Sequence, residues 1–243
     1  MPVRGLPLIQ PGDNIAEKIV QTMEEHEDGP LQGDILVVAH TIVSIAEGRI
    51  YDVNDVVITD KARSIAEKTQ HPVAKVALAL EEAIDIVREE PVLITRTKQG
   101  VVTDFSGVDA SNAPSGHYMK LPINPGQSAF DLHQKLSDQF GFHIPVIIAD
   151  TQGRPWRRGA VNIALGVAGM SAIVSNAGKA DLYGRTLHSS EVCIADELAA
   201  AAELVMGQAD EGVPVALIRG VLYQKIEGIA PIISRDPSDS LFK

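Results

Sequence analysis

The sequence is poor in several residue types, and each shortage excludes a class of protein. A single cysteine among 243 residues, Cys193, excludes an internal disulfide and the paired thiolates of a structural zinc module. A formal net charge of -11 argues against non-specific nucleic-acid binding, which needs a basic surface. No apolar run approaches the roughly 18 to 20 residues of a membrane span. We therefore expect a soluble, cytoplasmic protein that binds neither nucleic acid nor a membrane.

Several catalytic motifs are also missing. The chain contains no GxxxxGK[ST] phosphate-binding loop, no GxSxG nucleophile elbow and no GxGxxG dinucleotide turn. No two of its seven histidines stand four residues apart, so the helical zinc pair of many hydrolases is absent. A bound nucleotide would therefore be held by another arrangement.

Hydrophobic patterning predicts alternating helices and strands. Helices are expected at about residues 14–26 behind an Asp13 cap, at 61–69 and 73–89, and at 189–206 behind a serine cap. A further helix, expected after a loop at 112–127, carries Leu132, Leu136 and Phe140 and stops at Gly141. Buried strands are expected at residues 34–39, 145–150, 161–170 and 213–220, with a hairpin around Gln99 and Gly100. Residues 150–159 are expected to form a loop because Gly and Pro interrupt them. The chain would form one domain, or two subdomains that meet near residues 113–127.

Four polar segments follow these apolar elements. They are His40-Thr41, Asp109 to Asn112, Asp150 to Arg158, and Gly207 to Gly212. Ligand sites in α/β-type proteins gather where strand ends release the chain into loops. We therefore expect the four segments to converge on one site.

Asp109 and Asp150 are the best candidates for metal ligands in these segments. Mg²⁺ and Mn²⁺ prefer carboxylate, carbonyl and hydroxyl oxygens, and Thr151 and Gln208 would complete such a shell. The alternative is that each aspartate only satisfies backbone amides in a local turn.

Arg154, Arg157 and Arg158 form a local cation cluster in an otherwise acidic chain. Guanidinium groups match phosphate and carboxylate oxygens with paired hydrogen bonds, so Arg157 and Arg158 are candidates for binding a substrate anion. The alternative is a solvated loop whose arginines pair with surface acids. Gly207 and Gly212 also have two interpretations. They would let the backbone approach a ligand closely, or they would simply mark an ordinary helix end.

Taken in order, six segments resemble the coenzyme F420-0:gamma-glutamyl ligase family. They are GLPLI (residues 5–9), AHTIVSIAEGR (39–49), GVDASN (107–112), ADTQGRPWRRG (149–159), KADLYGR (179–185) and MGQADEGVP (206–214). The segments span most of the chain, and the ordered set is far more specific than any one of them.

The resemblance implies a ligase that uses GTP to add L-glutamate to the deazaflavin coenzyme F420-0 through an acyl phosphate. It implies two divalent cations, Mg²⁺ or Mn²⁺, held by Asp109, Asp150, Thr151 and Gln208, and allows a monovalent cation such as K⁺. The residues implied to contact GTP are Leu6, Pro7, Leu8, Ile9, His40, Thr41, Asn112, Met206, Gly207, Gln208, Ala209, Asp210, Glu211, Gly212 and Val213. The implied fold is α+β, with mixed sheets, flanking helices and a two-subdomain protomer in an intertwined homodimer.

The chain departs from the family pattern at one position. Where the family commonly has lysine, this sequence has Ile45, so an ammonium that would neutralise nucleotide phosphate is missing. Arg49 or one of the loop arginines would have to replace it, or the nucleotide or acceptor differs. A related metal-dependent amide ligase with another acceptor or nucleotide therefore stays open, as does a non-catalytic nucleotide-binding protein.

Overall fold

The computed structural model describes residues 1–25, 29–231 and 233–241. The helices in these ranges are α1 (Ile15–Glu24), α2 (His40–Ala46), α3 (Asp60–Thr69), α4 (Val73–Glu82), α5 (Pro125–Phe140) and α6 (Ile194–Met206), with 3-10 turns at Phe105–Gly107 and Pro237–Asp239. The strands are β1 (Ile35–Ala39), β2 (Ile50–Asp52), β3 (Ala83–Arg88), β4 (Ile94–Thr97), β5 (Val102–Asp104), β6 (His117–Met119), β7 (Val146–Arg154), β8 (Arg157–Met170), β9 (Val174–Ser175), β10 (Glu191–Val192), β11 (Val215–Ile218) and β12 (Lys225–Ile229). These helices and mixed sheets confirm the α+β class. The homodimer and the subdomain boundary stay predictions.

The largest sheet has five strands in the order β11-β1-β7-β8-β12. Strands β1 and β7 run parallel, and the other neighbours in this sheet are antiparallel. Alternate residues of β1 face opposite cores: Leu36 and Val38 pack with α1 and α5, whereas Ile35 and Val37 pack with α6. Both faces are covered, so the strand is apolar throughout rather than alternating.

A smaller layer stands on a core of its own. Strands β3, β4 and β5 form an antiparallel sheet, and α3 and α4 pack near it around Ile65, Leu78, Leu93 and Phe105. Strands β2 and β6 form a separate pair. Along the chain, β2 follows α2 and β6 precedes α5. The chain therefore has a large layered unit and a small one whose polar loops can meet.

Several predicted element boundaries are wrong. The helix predicted over 73–89 ends at Glu82, because the β-branched run from Ala83 to Arg88 pairs with β4 as strand β3. The last predicted helix begins at Ile194 rather than in the serines, since residues 191–192 pair with β9. The first helix is capped by Asn14 instead of Asp13 and is described to Glu24, and its last predicted residue, His26, lies outside the described residues.

The loop predicted at residues 150–159 is also wrong. Strand β7 continues through Arg154 and β8 starts at Arg157, so a hairpin turns at Pro155 and Trp156. Beyond Gln152 this hairpin is exposed to solvent, and a solvated ribbon has no reason to be apolar. Polar composition therefore marks exposure here rather than the end of the strand.

A buried ion cluster joins the small layer to the β2–β6 pair. The carboxylate of Glu82, at the end of α4, accepts a 2.7 Å hydrogen bond from Arg49 and a 3.2 Å bond from Lys120. Burial would raise the pKa of Glu82, but the charges of Arg49 and Lys120 outweigh burial and hold that pKa below its usual value. Its contribution to stability is therefore present above the unfolded pKa of about 4.3 and is lost as pH falls through the folded value.

We expect Glu82→Gln to lower the free energy of unfolding by about 3 kcal/mol near pH 7, because two buried cations lose their shared counterion. Urea unfolding followed by circular dichroism measures this change. Glu81→Gln is the matched control: Glu81 also binds Lys120, but its side chain is 47% exposed. That variant should lose less than about 1 kcal/mol. Equal losses in the two variants would contradict the role of the cluster.

Candidate functional site

A cavity of about 1250 Å³ lies where the predicted polar segments meet. Its walls include residues 6–11, 39–42, 107–109, 149–151 and 206–209. All four segments therefore reach one cavity, although the segment from Asp150 to Arg158 lines it only at its start, as far as Gly153.

The register of β1 against β7 builds one side of the cavity. The two strands run parallel with Ala39 opposite Ala149. The next residue along the sequence is polar in both places: His40 follows Ala39, and Asp150 follows Ala149. Parallel strands release their next residues at the same edge, so the two side chains meet, with His40 Nε2 3.1 Å from Asp150 Oδ1. His40 is only 8% exposed.

The surroundings of His40 favour its charged form. Burial alone would lower the pKa of His40, but the hydrogen-bonded Asp150 carboxylate, with a smaller contribution from Asp109, outweighs burial and raises that pKa. Nδ1 lies 3.3 Å from Ser44 Oγ on the same helix. The ring therefore has polar partners on both nitrogens, which fixes its orientation beside Asp150.

A hydrogen-bonded network fixes the loop that follows α6. Thr151 Oγ1 lies 2.7 Å from Asn162 Oδ1 and 2.9 Å from Gln208 Oε1, and Gln208 Nε2 donates a 2.6 Å bond to Glu203. The Asn162 N–H donates to the other oxygen of Glu203 at 2.8 Å. Asn162 lines the cavity and was missed in the sequence, although a buried asparagine inside the apolar run of β8 is a detectable signal.

Asp109 occupies the opposite part of the cavity wall. Its backbone forms an isolated bridge with Met119, and Oδ1 accepts the Ala110 N–H at 2.8 Å. Burial would raise the pKa of Asp109, but hydrogen bonds from Ser111 and Ala110 and the charge of Lys75 lower it below its usual value. The carboxylate is therefore held in its ionised form.

Asp109, Asp150, Thr151 and Gln208 are the predicted metal ligands, and all four line the cavity. Their oxygens are hard donors of the kind that Mg²⁺ and Mn²⁺ prefer, so the donor chemistry fits. In the described part of the chain, no three His, Cys, Asp or Glu side chains form a metal-binding group by themselves. Substrate oxygens and water would have to complete any coordination shell, which is the usual arrangement for Mg²⁺ at phosphate sites.

Most residues predicted to contact a nucleotide line the same cavity. These are Leu6, Pro7, Leu8, Ile9, His40, Thr41, Asn112, Met206, Gly207, Gln208, Ala209, Glu211, Gly212 and Val213. Asp210 does not line it. Asn112 has a left-handed φ of 57°, which asparagine tolerates better than most residues.

The predicted arginines lie elsewhere. Arg157 and Arg158 are exposed on the β7–β8 hairpin and do not line the cavity, so their role in binding an anion stays a prediction. Arg154 bonds back to the backbone oxygens of Arg158 and Gly159 at the base of the turn. Arg49 is held by Glu82, Tyr51 and the Leu121 carbonyl, away from the cavity. Among the described lysines and arginines, only Lys75 lines the cavity, and sequence reasoning missed it.

Residues 5–220 match the family model for F420-0:Gamma-glutamyl ligase. The chain belongs to that family. Three archaeal relatives carry the name coenzyme F420:L-glutamate ligase. The protein of Methanothermobacter thermautotrophicus is 43% identical over 95% of this chain and 93% of its own. That of Methanopyrus kandleri is 42% identical over 97% and 93%, and that of Archaeoglobus fulgidus 39% over 90% and 86%. The resemblance that the six segments carry is thereby confirmed.

No helix in the described ranges of this family member has the length and apolar character needed to cross a membrane.

Gly207, at the end of α6, has a backbone conformation that favours glycine. It has φ 75°, and a Cβ there would lie 2.1 Å from the Glu211 carboxyl carbon. That carboxylate accepts the Ala209 N–H at 2.8 Å, so it closes the loop that carries Gln208. The glycine therefore leaves room for the group that shapes this wall of the cavity.

We expect Gly207→Ala to cost about 1–3 kcal/mol, concentrated in the loop, because it combines a strained φ with displacement of Glu211. Hydrogen exchange should show faster exchange of the Ala209 amide. Gly153→Ala is the control, since Gly153 also lines the cavity and a Cβ there meets nothing within 4 Å. Unchanged protection at Ala209 in a folded Gly207→Ala protein would contradict this account of the loop.

Proposed function

We propose that the protein attaches L-glutamate to the deazaflavin coenzyme F420-0 by forming an amide bond at the expense of GTP. Two findings support this function: membership of the ligase family over residues 5–220, and the meeting of four polar segments at one cavity. The relatives' printed names supply the acceptor and the amino acid. GTP as the co-substrate comes from the resemblance of the six segments.

An amide cannot form directly from a carboxylate and an amine, so the acceptor carboxylate must first be activated. In the proposed route, this carboxylate attacks the γ-phosphorus of GTP, the bond to the β-phosphate oxygen breaks, and GDP leaves. The glutamate amine then attacks the acyl carbon, inorganic phosphate departs, and the nitrogen loses a proton. Both steps are phosphoryl or acyl transfers that depend on positioning and charge stabilisation.

The main physical obstacle is electrostatic repulsion. A carboxylate must approach a polyphosphate inside a cavity whose own wall is acidic. Divalent cations, when bound, would screen that repulsion and stabilise negative charge on the phosphoryl oxygens. Asp109 and Asp150 would hold them, with Thr151 and Gln208 as further oxygen ligands. His40 Nε2 lies 3.1 Å from Asp150 Oδ1, and the Thr151 N–H donates to the same oxygen at 2.7 Å, so two contacts orient the carboxylate that would bind a cation.

The backbone around the loop after α6 would receive the nucleotide. Residues of this loop and the irregular segment at residues 6–9 line the cavity together with His40 and Thr41. Nucleotide binding by these segments would not need a P-loop, which agrees with the absence of a GxxxxGK[ST] motif from the sequence.

Homodimer formation belongs to the same proposal. The segment between β9 and β10 carries Leu182 and Tyr183, which are 101% and 91% exposed in the single chain. Large apolar side chains on a projecting segment are typical of a surface that another protein covers.

A related ligase with a different acceptor or nucleotide is the second candidate, and Ile45 favours it. This residue lines the cavity and packs against the core, so it places an apolar side chain where the family commonly has a cation. Substituting other nucleotides and other carboxylate acceptors in the same reaction separates the two candidates.

We expect mass spectrometry to show F420-0 gaining mass in steps of one glutamyl unit when the purified protein is incubated with glutamate, GTP and Mn²⁺. Asp150→Asn should reduce the rate by at least about 100-fold, because it removes the carboxylate that would hold the cation that stabilises the transition state. Asp138→Asn, on the exposed face of α5, is the matched control. No glutamyl product with any nucleotide would refute the proposed function. Near-normal turnover by folded Asp150→Asn would refute only the role of Asp150.

A further inference from the structure

The cavity is acidic, and this creates a problem for any anionic ligand. The carboxylates on its wall are Asp52, Asp55, Asp104, Asp109, Asp150 and Glu211. The two histidines on the wall each lie near one of them, His40 at 3.1 Å from Asp150 and His117 at 4.0 Å from Asp52. A phosphate or carboxylate that enters therefore needs a positive group that no wall carboxylate already neutralises.

Lys75 is the lysine or arginine that the described chain supplies to this wall. Ile45 contributes no charge, and Arg49 and Lys120 are held by Glu82 in the buried ion cluster. The exposed arginines of the β7–β8 hairpin do not line the cavity. Fixed positive charge in the cavity of this chain is therefore concentrated at one side chain.

The ammonium of Lys75 is held by an aromatic ring. Lys75 lies in the first turn of α4, is half-buried, and places Nζ 4.8 Å from the centroid of Phe105. The charge of Lys75 acts on the Asp109 carboxylate, but among the described ion pairs none joins Lys75 directly to a carboxylate. An aromatic ring orients the ammonium by cation–π attraction and leaves its positive charge unpaired, whereas a carboxylate would neutralise that charge. The amine therefore remains able to bind an anion.

The ring itself is fixed by a strained turn. Phe105 and Ser106 have left-handed φ values of 44° and 54°, which are unfavourable for both residue types. The Phe105 N–H donates to Leu93 O at 2.8 Å. Ser106 Oγ donates to the Ala79 carbonyl at 2.7 Å and lies 2.7 Å from Thr95 Oγ.

These bonds have a consequence for Lys75 and for Asp109. Ala79 lies on α4, one turn beyond Lys75, so the Ser106 bond ties the strained turn to the helix that carries the lysine. The same turn leads within four residues to Asp109, a predicted metal ligand. Backbone strain that several bonds maintain is typical of positions where geometry serves a ligand.

We propose that Lys75 is an anion-binding residue of the cavity, which holds a phosphate or carboxylate group of one substrate through its ammonium. The assignment rests on the proposed function and adds a specific binding residue to it. The anion comes either from the nucleotide polyphosphate or from the acceptor or amino-acid substrate, and all these sources present the same oxygen chemistry.

We expect Lys75→Met to raise the Kd of one substrate about 10-fold or more, the order lost with a charge-assisted hydrogen bond, and to leave the others within about twofold. Isothermal titration of GTP with Mg²⁺, of F420-0 and of L-glutamate, each alone, identifies which source supplies the anion. Methionine keeps the length and the apolar stem, and no ion pair is lost. The Tm of Lys75→Met should therefore equal that of the wild type. A structural role of Lys75 would instead lower the Tm. Lys75→Arg should retain most of the affinity.

Lys61→Met is the matched control, because Lys61 is exposed in the first turn of α3 and does not line the cavity. It makes the same change in net charge and should leave every Kd unchanged. Wild-type affinities for all three substrates in folded Lys75→Met would overturn the assignment, as would an equal loss in Lys61→Met. A wild-type protein that binds none of the three would instead contradict the proposed function, and the role of Lys75 with it.

Discussion

The parallel pairing of β1 with β7 is the constraint on which the site depends. It sets Ala39 opposite Ala149, and the next residues, His40 and Asp150, emerge at one edge of the sheet and meet at 3.1 Å. A shift of one residue would turn every side chain of β1 to the opposite face. The two cores that the strand separates would then lose their partners, so the hydrophobic effect that folds the sheet also fixes the polar pair.

The second determinant is the distribution of charge. The large unit supplies Asp150, Thr151 and Gln208, while the small layer and its connecting turns supply Lys75 and Asp109. The buried cluster of Glu82, Arg49 and Lys120 joins the small layer to the β2–β6 pair. Because Arg49 and Lys120 are paired in that cluster, they do not reach the cavity. The acidic wall is therefore neutralised by Lys75 and by cations that bind with a substrate. Stability and binding therefore draw on separate sets of charged groups.

Much of the site could be predicted from sequence because its members follow apolar runs. An apolar run that ends in a polar residue is a local signal, and it located His40 and Asp150 correctly at the cavity. Asp109 and Gln208 were identified in the same way, from the polar segments that follow apolar elements, whereas Leu6 to Ile9 were identified by the resemblance of ordered segments, and all of them line the cavity. The α+β class followed from the same resemblance.

The errors have a physical cause in long-range pairing. Residues 83–88 have a helical flank, and only their pairing with β4 makes them a strand. The β7–β8 hairpin is polar because it is solvated, so composition alone indicated a loop. Lys75 and Asn162 were missed because each belongs to an apolar element, and only the three-dimensional structure turns them toward the cavity. Arg157 and Arg158, which were chosen for their nearness to Asp150 in sequence, lie on the exposed hairpin and do not line the cavity, and their role in binding an anion stays a prediction.

The most direct test of the account is anomalous diffraction from crystals of the protein with Mn²⁺ and a non-hydrolysable guanine nucleotide. The account predicts manganese peaks in contact with the carboxylates of Asp109 and Asp150 and a nucleotide against the loop that follows α6. Manganese bound away from both aspartates, with the nucleotide outside this cavity, would contradict it.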